Sequence, residues 1–510
     1  MRRVRAYASL SAIGLSAFFC VTSAWAQPAG SSATTPPLPP SAPSVPSPAN
    51  DAPRTDAHVE TATPGVMASP PSPVQMGATP TRDTGFSFGS YGRVGIASDL
   101  RGRTGRVANI TAFGPRLDLP PYAEIQFNYD GRFRDVRWRT VVTVGMNENL
   151  FHFTGRFDAT FAVRNLYLEA QRILHPGLSV WAGSRMYRGD DVYLLNWWPL
   201  DNLNMVGGGA RFDLGEVATF QLAVGMNRLD DPYQLQTISV PARDAFGPVT
   251  ALLLDRPRVI TAAKATWWIS GRTSSSGMKL SLYGEHHAMA SGVRQTNERG
   301  DRIELPADSG YTVGAQFGVY NRANFVNLFV RYSQGLGAYG DLRVPAVRDS
   351  VRTSERAQEF RAALSANWER GMFAVMAGAY VRYFRDADPG VFSRDALVEG
   401  AVVARPIAWF GDYVGLALEA SWQHTSYNAL DPDTGMGGVR GTVLRFGAVP
   451  FFTPAGRGSY TRPHIQLIYL ATVRDEGARR LYAPGDPFGF NPVEHYLGVG
   501  TEWWFNSSYL

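Results

Sequence analysis

Tyr91 and Arg93 lie two residues apart, Tyr122 is followed at the same spacing by Glu124, Gln126 and Asn128, and Tyr460, Arg462, His464 and Gln466 repeat the pattern near the other end of the chain. Residues two apart share one face of an extended strand. Each series therefore sets aromatic rings beside charged and amide groups. The opposite faces carry Val94 and Ile96, then Ala123, Ile125 and Phe127, then Ile465, Leu467 and Tyr469. Such a mixture suits a polyhydroxylated ligand. The C–H faces of a pyranose stack on rings, and its hydroxyls exchange water for hydrogen bonds to Arg, Glu and Asn. Weak stacking sites in series pass such a ligand along instead of trapping it. Catalysis asks for something else, a nucleophile held beside a base. Glu285-His286-His287 is the tempting cluster, but a strand puts Glu285 and His287 on one face and His286 on the other, with no Ser, Cys or metal-spaced partner in the sequence around them. It reads as a strand end near a loop. No nucleotide-binding loop, zinc motif or EF-hand pattern is present either, so the chain reads as a non-enzyme without cofactor or metal.

The elements that must position these residues show in the C-terminal segment His495 to Phe505. Leu497, Val499, Trp503 and Phe505 fall on one face; Gly498, Gly500, Glu502 and Trp504 fall on the other. An apolar face closed by aromatics, opposite a face with a carboxylate, fits a membrane β-barrel with lipid outside and a polar lumen inside. The spacing predicts about eighteen such strands: 86–97, 121–130, 134–145, 160–172, 177–187, 206–213, 217–227, 258–269, 276–286, 310–320, 323–335, 356–368, 371–383, 396–404, 412–424, 440–450, 460–473 and 494–505. Tight turns such as Tyr129-Asp-Gly-Arg132, His175-Pro-Gly177, Asp213-Leu-Gly-Glu216, Tyr320 to Asn324 and Glu369-Arg-Gly371 alternate with long polar loops at 228–257, 287–309 and 474–493. Short periplasmic turns and long external loops are the barrel pattern. Strands of a soluble sandwich run nearer five or six residues. Most of the 12 Trp and 22 Tyr are expected in the interfacial girdles; a ring on the polar face is the exception that points to the lumen.

Arg2, Arg3 and Arg5, the apolar run Leu10 to Val21 and Ala24-Trp25-Ala26 make residues 1–26 a removed secretory signal. Cys20 is the only cysteine and lies inside that signal. A lipobox reading of Cys20 is weaker, since Thr22-Ser23 follow it and the A-x-A site is better placed. The mature chain then has no thiol or disulfide chemistry. Losing three arginines takes the formal charge from +5 to +2, which gives no reason to expect a nucleic acid partner. Residues 27–84, with Pro36-Pro-Leu-Pro-Pro40 and Pro71-Ser-Pro-Val, cannot bury enough apolar surface to order themselves. They read as a disordered periplasmic tether with a possible cell-wall contact. Residues 85–510 form the barrel domain, in the bacterial outer membrane and in contact with its lipid. No segment is long and apolar enough for a membrane helix.

The stretch Val180 to Tyr193 followed by Trp197-Trp-Pro-Leu-Asp201, together with Phe88 to Arg93, Tyr122-Ala-Glu124, Arg405-Pro406 with Trp409, Asp412 and Tyr413, Tyr460-Thr-Arg-Pro463 and Gly498 to Phe505, resembles the maltoporins in order and spacing from about residue 86 to 505. The resemblance implies an all-β fold, an antiparallel transmembrane β-barrel of about 18 strands with an inward-folded third loop, assembled as a homotrimer. It implies facilitated diffusion of maltooligosaccharides or related sugars along a slide of aromatic residues flanked by polar tracks. Tyr91, Tyr122, Tyr460 and Trp504 match slide positions, Tyr460 in place of the family's usual tryptophan; Trp198 matches the constriction tyrosine. Arg93, Arg116, Glu124 and Arg164 match polar-track positions, and Asp201 keeps an acidic position of the third loop. Asn165, Tyr167 and Glu169 compete with Arg164 for the lumen face. Asn196 replaces the family's polar-track aspartate, and Gly189, next to Arg188, stands at its constriction arginine. Asp190 and Asp191 read as a solvated loop pair. The first loop lacks the disulfide of some maltoporins. Phe151 or Phe153 would be the ring donated by a neighbouring subunit, and Phe329, sharing the parity of Asn327 and Arg331, would complete the slide. Asn506 to Leu510 extend past the aromatic that normally ends such a barrel. The alternative is a general-diffusion or other-solute porin without a saturable sugar site.

Overall fold

The computed structural model describes residues 84–147, 161–242, 246–295, 301–345, 351–385, 395–430, 437–483 and 485–506. Its strands are, in order, β1 (Gly85–Ser98), β2 (Tyr122–Phe133), β3 (Val136–Asn147), β4 (Phe161–Gln171), β5 (Leu178–Arg188), β6 (Asn202–Leu214) and β7 (Ala218–Asn227). Then follow β8 (Leu235–Pro241), β9 (Pro248–Asp255), β10 (Arg258–Trp268), β11 (Ser276–Met289), β12 (Gly292–Gln295), β13 (Arg302–Leu305), β14 (Asp308–Asn321) and β15 (Asn324–Gly335). The last are β16 (Gln358–Arg370), β17 (Phe373–Arg385), β18 (Asp395–Trp409), β19 (Val414–Leu430), β20 (Gly437–Phe452), β21 (His464–Arg474) and β22 (Val493–Phe505). β8 with β9 and β12 with β13 are two small hairpins inside loops; the other eighteen form one sheet in which β1 pairs with both β2 and β22. Every pair around the ring is antiparallel, and no sheet edge is left open.

Side-chain alternation follows the two solvents. Leu166, Leu222, Leu282, Val313, Leu328, Leu467 and Val499 face outward and are exposed, while Glu124, Gln126, Asn165, Gln316, Asn327, Glu419 and Glu502 face inward and are buried. Outward rings gather at both ends of the strands. Phe86 stacks on Phe127, while Phe88 lies tilted against Phe505 and Tyr129 against Trp138, at the short-turn end, and Tyr311 lies beside Tyr332 at the other. These are the girdles of a lipid-embedded belt.

Three local features differ from the sequence expectation. The first hairpin does not turn at Tyr129–Arg132, which stay paired with Arg137–Thr140 in the ladder; the turn is at Arg134-Asp135, with Arg134 at φ 55°. β21 starts at His464, so Tyr460 and Arg462 sit in the preceding connection and not in a strand. The hairpins β8/β9 and β12/β13 give structure to loops expected to be irregular. The first loop, 99–121, also folds inward. Its Ile110 N–H and Thr111 hydroxyl donate to Gln423, its Ala112 N–H to Glu399, and its Phe113 N–H to the Tyr380 hydroxyl on the far wall.

Candidate functional site

Closure of the barrel builds the site. Across β22, β1 and β2 the register sets Trp504, Tyr91 and Glu124 in one row and Glu502, Arg93 and Tyr122 in the next. Residues far apart in the chain thus become neighbours on one wall. Tyr91 lies 6.2 Å from Tyr122, and both pack with Trp198 of the third loop and with Trp504. The third loop, 189–201, crosses the lumen as a tight hairpin in which the Val192 N–H donates to the Trp197 carbonyl at 2.7 Å. Asn196 holds the bend in the left-handed region at φ 50°, a conformation Asn tolerates better than most residues. Val192, Tyr193, Leu194, Leu195, Trp197 and Leu200 are each 2% exposed or less. The loop is therefore seated by its apolar side chains.

Tyr193 joins the wall to the far side of the pore. Its ring lies 5.8 Å from Trp504 and 5.4 Å from Tyr460, and Tyr460 lies 6.1 Å from Phe325. The aromatic run thus goes from Tyr122 through Tyr91, Trp504, Tyr193 and Tyr460 to Phe325. Trp504 and Tyr460 remain partly accessible. A second group forms where Phe113 of the first loop stacks on Trp197 at 4.3 Å, with Tyr380 5.4 Å from each. Phe329 is inward-facing and 3% exposed, but it packs in the cluster under the third loop, and Phe325 is the β15 ring that reaches Tyr460.

Polar groups flank these rings. Glu502 accepts from Arg116 Nη2 at 2.6 Å, Arg462 Nε at 2.9 Å and the Tyr193 hydroxyl at 2.8 Å. Arg116 also donates to the Tyr91 hydroxyl at 2.6 Å and lies 4.2 Å over the Tyr193 ring. Arg93 donates to the Pro120 carbonyl. Arg164 lies 3.0 Å from Glu124 and donates to the Tyr122 hydroxyl at 2.7 Å, while Tyr122 itself donates to Glu124. The β3–β4 ladder shifts register between Thr143 and Val144, leaving Arg164 as an extra residue beside the paired Asn165. A bulge of this kind turns both neighbours to one side. It resolves the competition between Arg164 and Asn165: both reach the lumen, and Gly145 leaves the space that Arg164 fills. Further round the wall, Arg405 and Arg445 bind Glu419, and Arg382 joins Glu359 to Glu399. Glu285 pairs with His287 at 2.7 Å, with Arg331 beside them.

The third loop's acidic residues are not the solvated pair its sequence suggests. Asp190 is bound by Lys279 and Gln316, Asp201 by Lys264 at 2.8 Å, and Asp191 is fully buried. These bonds hold because inward positions of β10 and β11 carry the lysines. Trp198 is 2% exposed, with the Arg188 guanidinium 4.2 Å from its ring. Sequence reasoning missed Tyr193, Phe113, Trp197, Tyr380 and Phe325, whose roles depend on loop paths. Phe151 and Phe153 lie outside the described residues, as do residues 1–83, which hold the signal and all but the last residue of the tether, and Ser507 to Leu510.

Burial drives the Asp191 carboxyl well above the ordinary carboxylate range, Arg116 opposing and Asp190 adding to the rise. A raised native pKa favours the protonated form in the folded channel. Its stabilisation is complete below the unfolded pKa and is lost as pH climbs toward the native value. Raising the pH of the bath through that range is expected to add a negative charge at the neck and increase cation selectivity. Reversal potentials across a salt gradient check this, with Asp191→Asn expected to remove that component of the pH response.

A sequence model of one protein family, described as LamB porin, matches residues 86–505. No curated protein matches the sequence. Among solved structures the barrel is similar to Acinetobacter baumannii OccAB2, with 10% identity over 82% of this chain and 98% of that one and a TM-score of 0.41. It is also similar to Pseudomonas aeruginosa OccD3 (OpdP), with 9% identity, 83% and 91% coverage and a TM-score of 0.41. Pseudomonas aeruginosa OpdK with vanillate gives 11% identity, 83% and 98% coverage and a TM-score of 0.39.

Proposed function

We propose, on the premise that this chain belongs to the LamB porin family and forms an outer-membrane channel, that its cargo is saccharide, maltooligosaccharides or chemically related sugars, taken up by facilitated diffusion. The observation that carries this reading is the aromatic run from Tyr122 to Phe325 flanked by Arg–Glu pairs. Such a wall stacks sugar faces and bonds their hydroxyls at the same level of the pore. The apolar seating of the third loop favours a narrow, selective path over a wide general-diffusion pore. In this reading Tyr91, Tyr122, Tyr460, Trp504 and Trp198 form the slide and constriction. Arg93, Arg116, Glu124, Arg164, Asn196 and Asp201 supply polar contacts, and Phe329 supports the loop.

Sugar block of ion current in a planar bilayer tests the reading. Trp504→Ala or Tyr460→Ala removes one stacking site, worth about 0.5–1.5 kcal/mol by analogy with aromatic pairs. Affinity for maltotriose is expected to fall roughly two- to tenfold at about 1.4 kcal/mol per decade, with little change in small-ion conductance. If no sugar blocks the native channel, a porin for other solutes replaces this reading. The family resemblance supports a homotrimer, for which cross-linking in mild detergent is expected to give three subunits; a monomer with full sugar block overturns it. Residues 1–26 are proposed as a secretory signal and 27–84 as a periplasmic tether, and N-terminal sequencing of the membrane-extracted protein is expected to start near Gln27.

A further inference from the structure

Above the Arg93–Glu502 row, towards the long loops, the next inward positions are Gly95 and Ala97 on β1, paired with Gly500 and Gly498 on β22. No large side chain projects there. At Gly500 a Cβ would come within 2.7 Å of the Val94 carbonyl oxygen, so close strand pairing keeps the position bare. The result is a cavity of ≈ 540 Å³ between this stretch of wall and the first loop, within the range of about 300–1,000 Å³ typical of small-molecule sites.

The cavity is bordered by four arginines, Arg93, Arg106, Arg116 and Arg405, and two carboxylates, Asp118 and Glu502. Both carboxylates are already engaged: Glu502 by Arg116, Arg462 and Tyr193, and Asp118 by Arg445 at 2.8 Å and the Ala108 N–H at 2.8 Å. The guanidinium groups are not all engaged. Arg93 and Arg116, 8% and 5% exposed, both donate to the Tyr91 hydroxyl, which holds them side by side. Arg93 Nη2 and Arg116 Nη1 are buried without an acceptor. A buried charged donor without an acceptor is costly, and an anionic group bridging the two satisfies both with charge-assisted bonds. Asp191 faces Arg116 from the third loop, but it donates nothing to and accepts nothing from either nitrogen. The half-buried Tyr496 ring also borders the cavity and offers a face for a pyranose, whereas the Tyr193 ring there is covered by Arg116.

Building on the saccharide-channel reading, we propose that this cavity is a capture site on the external side of the neck for sugars that carry an anionic group, a carboxylate or a phosphate, held by Arg93 and Arg116.

The test uses the purified native oligomer in a planar bilayer, with glucuronate, glucose 6-phosphate, glucose and maltotriose added in turn to the loop side. Glucuronate, glucose 6-phosphate or both are expected to block at concentrations at least tenfold below glucose, and the gap is expected to shrink as salt rises. Whichever of the two blocks identifies the carboxylate or the phosphate as the preferred group. Arg93→Gln is expected to abolish the gap. Ala97→Leu, which takes up space in the cavity while leaving all four arginines in the chain, is expected to do the same while leaving maltotriose block unchanged. Equal block by glucose and the charged sugars overturns the proposal, as does equal block by acetate or inorganic phosphate, which would show an anion site that ignores the sugar. Block by maltotriose with no preference for charge refutes this site and leaves the saccharide channel standing. Absence of block by any of the four sugars refutes the saccharide channel as well.

Discussion

Replacing Glu502 with Gln is expected to make the channel strongly anion-selective and to lower the temperature at which the barrel unfolds. Glu502 is 6% exposed and is bonded to two guanidinium groups, Arg116 and Arg462, as well as the Tyr193 hydroxyl. Glutamine keeps the shape and one accepting oxygen but removes the charge, leaving two buried cations unbalanced. Breaking a buried ion pair from one side costs about 3–5 kcal/mol; the retained amide oxygen places this case near the lower end. A unit charge at about 4 Å is worth about 4 kcal/mol at an effective dielectric constant of 20, so permeating chloride gains where potassium loses. The reversal potential in a KCl gradient reads the selectivity. The temperature of the shift from folded to unfolded migration on a gel reads the stability. Adding Arg116→Gln to Glu502→Gln is expected to restore part of both, the coupling expected of two groups in one network. A reversal potential that stays at the native value would show that Glu502 lies outside the conducting path.

The eighteen strands were legible because lipid and water impose opposite demands on alternate residues, and a period of two needs no knowledge of contacts. Alternation puts Tyr91, Tyr122, Glu124, Glu502 and Trp504 on the inner face, and they lie there. The same rule fails wherever the backbone leaves the ladder. Tyr460 and Arg462 alternate with their neighbours, but they precede β21, and loop path, not strand parity, brings Tyr460 to Tyr193. The bulge puts Arg164 and Asn165 on the same side, which no alternation scheme allows. The Asp190-Asp191 pair looks solvated because the groups that enclose it, Lys279, Gln316 and Arg116, come from distant segments. The charge composition carries one further signal. The chain has 49 Lys and Arg residues, but only two are lysines, Lys264 and Lys279.

Those two lysines set up the second large effect. Both sit on adjacent strands and both bind third-loop aspartates, Lys264 to Asp201 and Lys279 to Asp190, at the two ends of the loop. Their own side chains are 13% and 8% exposed, those of the aspartates 1% and 13%. Changing both lysines to Met leaves two buried carboxylates without counter-charges, at about 3–5 kcal/mol each, or on the order of 6–10 kcal/mol in total. Against release stands the apolar seating of Val192 to Leu195, Trp197 and Leu200, six side chains at about 1.5–3 kcal/mol each, or about 9–18 kcal/mol in total. The two ranges overlap only at about 10 kcal/mol and the seat is the larger, so the loop is expected to leave it in brief excursions without staying out. Single-channel records of the double variant are expected to flicker between the native level and a conductance several times higher, with sugar block weakened in the high state. Adding Asp190→Asn and Asp201→Asn removes the stranded charges, and the flicker is expected to subside because the apolar seat then holds the loop unopposed. A quiet double variant at the native conductance would mean that apolar packing alone fixes the loop and that the lysine pairs do not control the width of the pore.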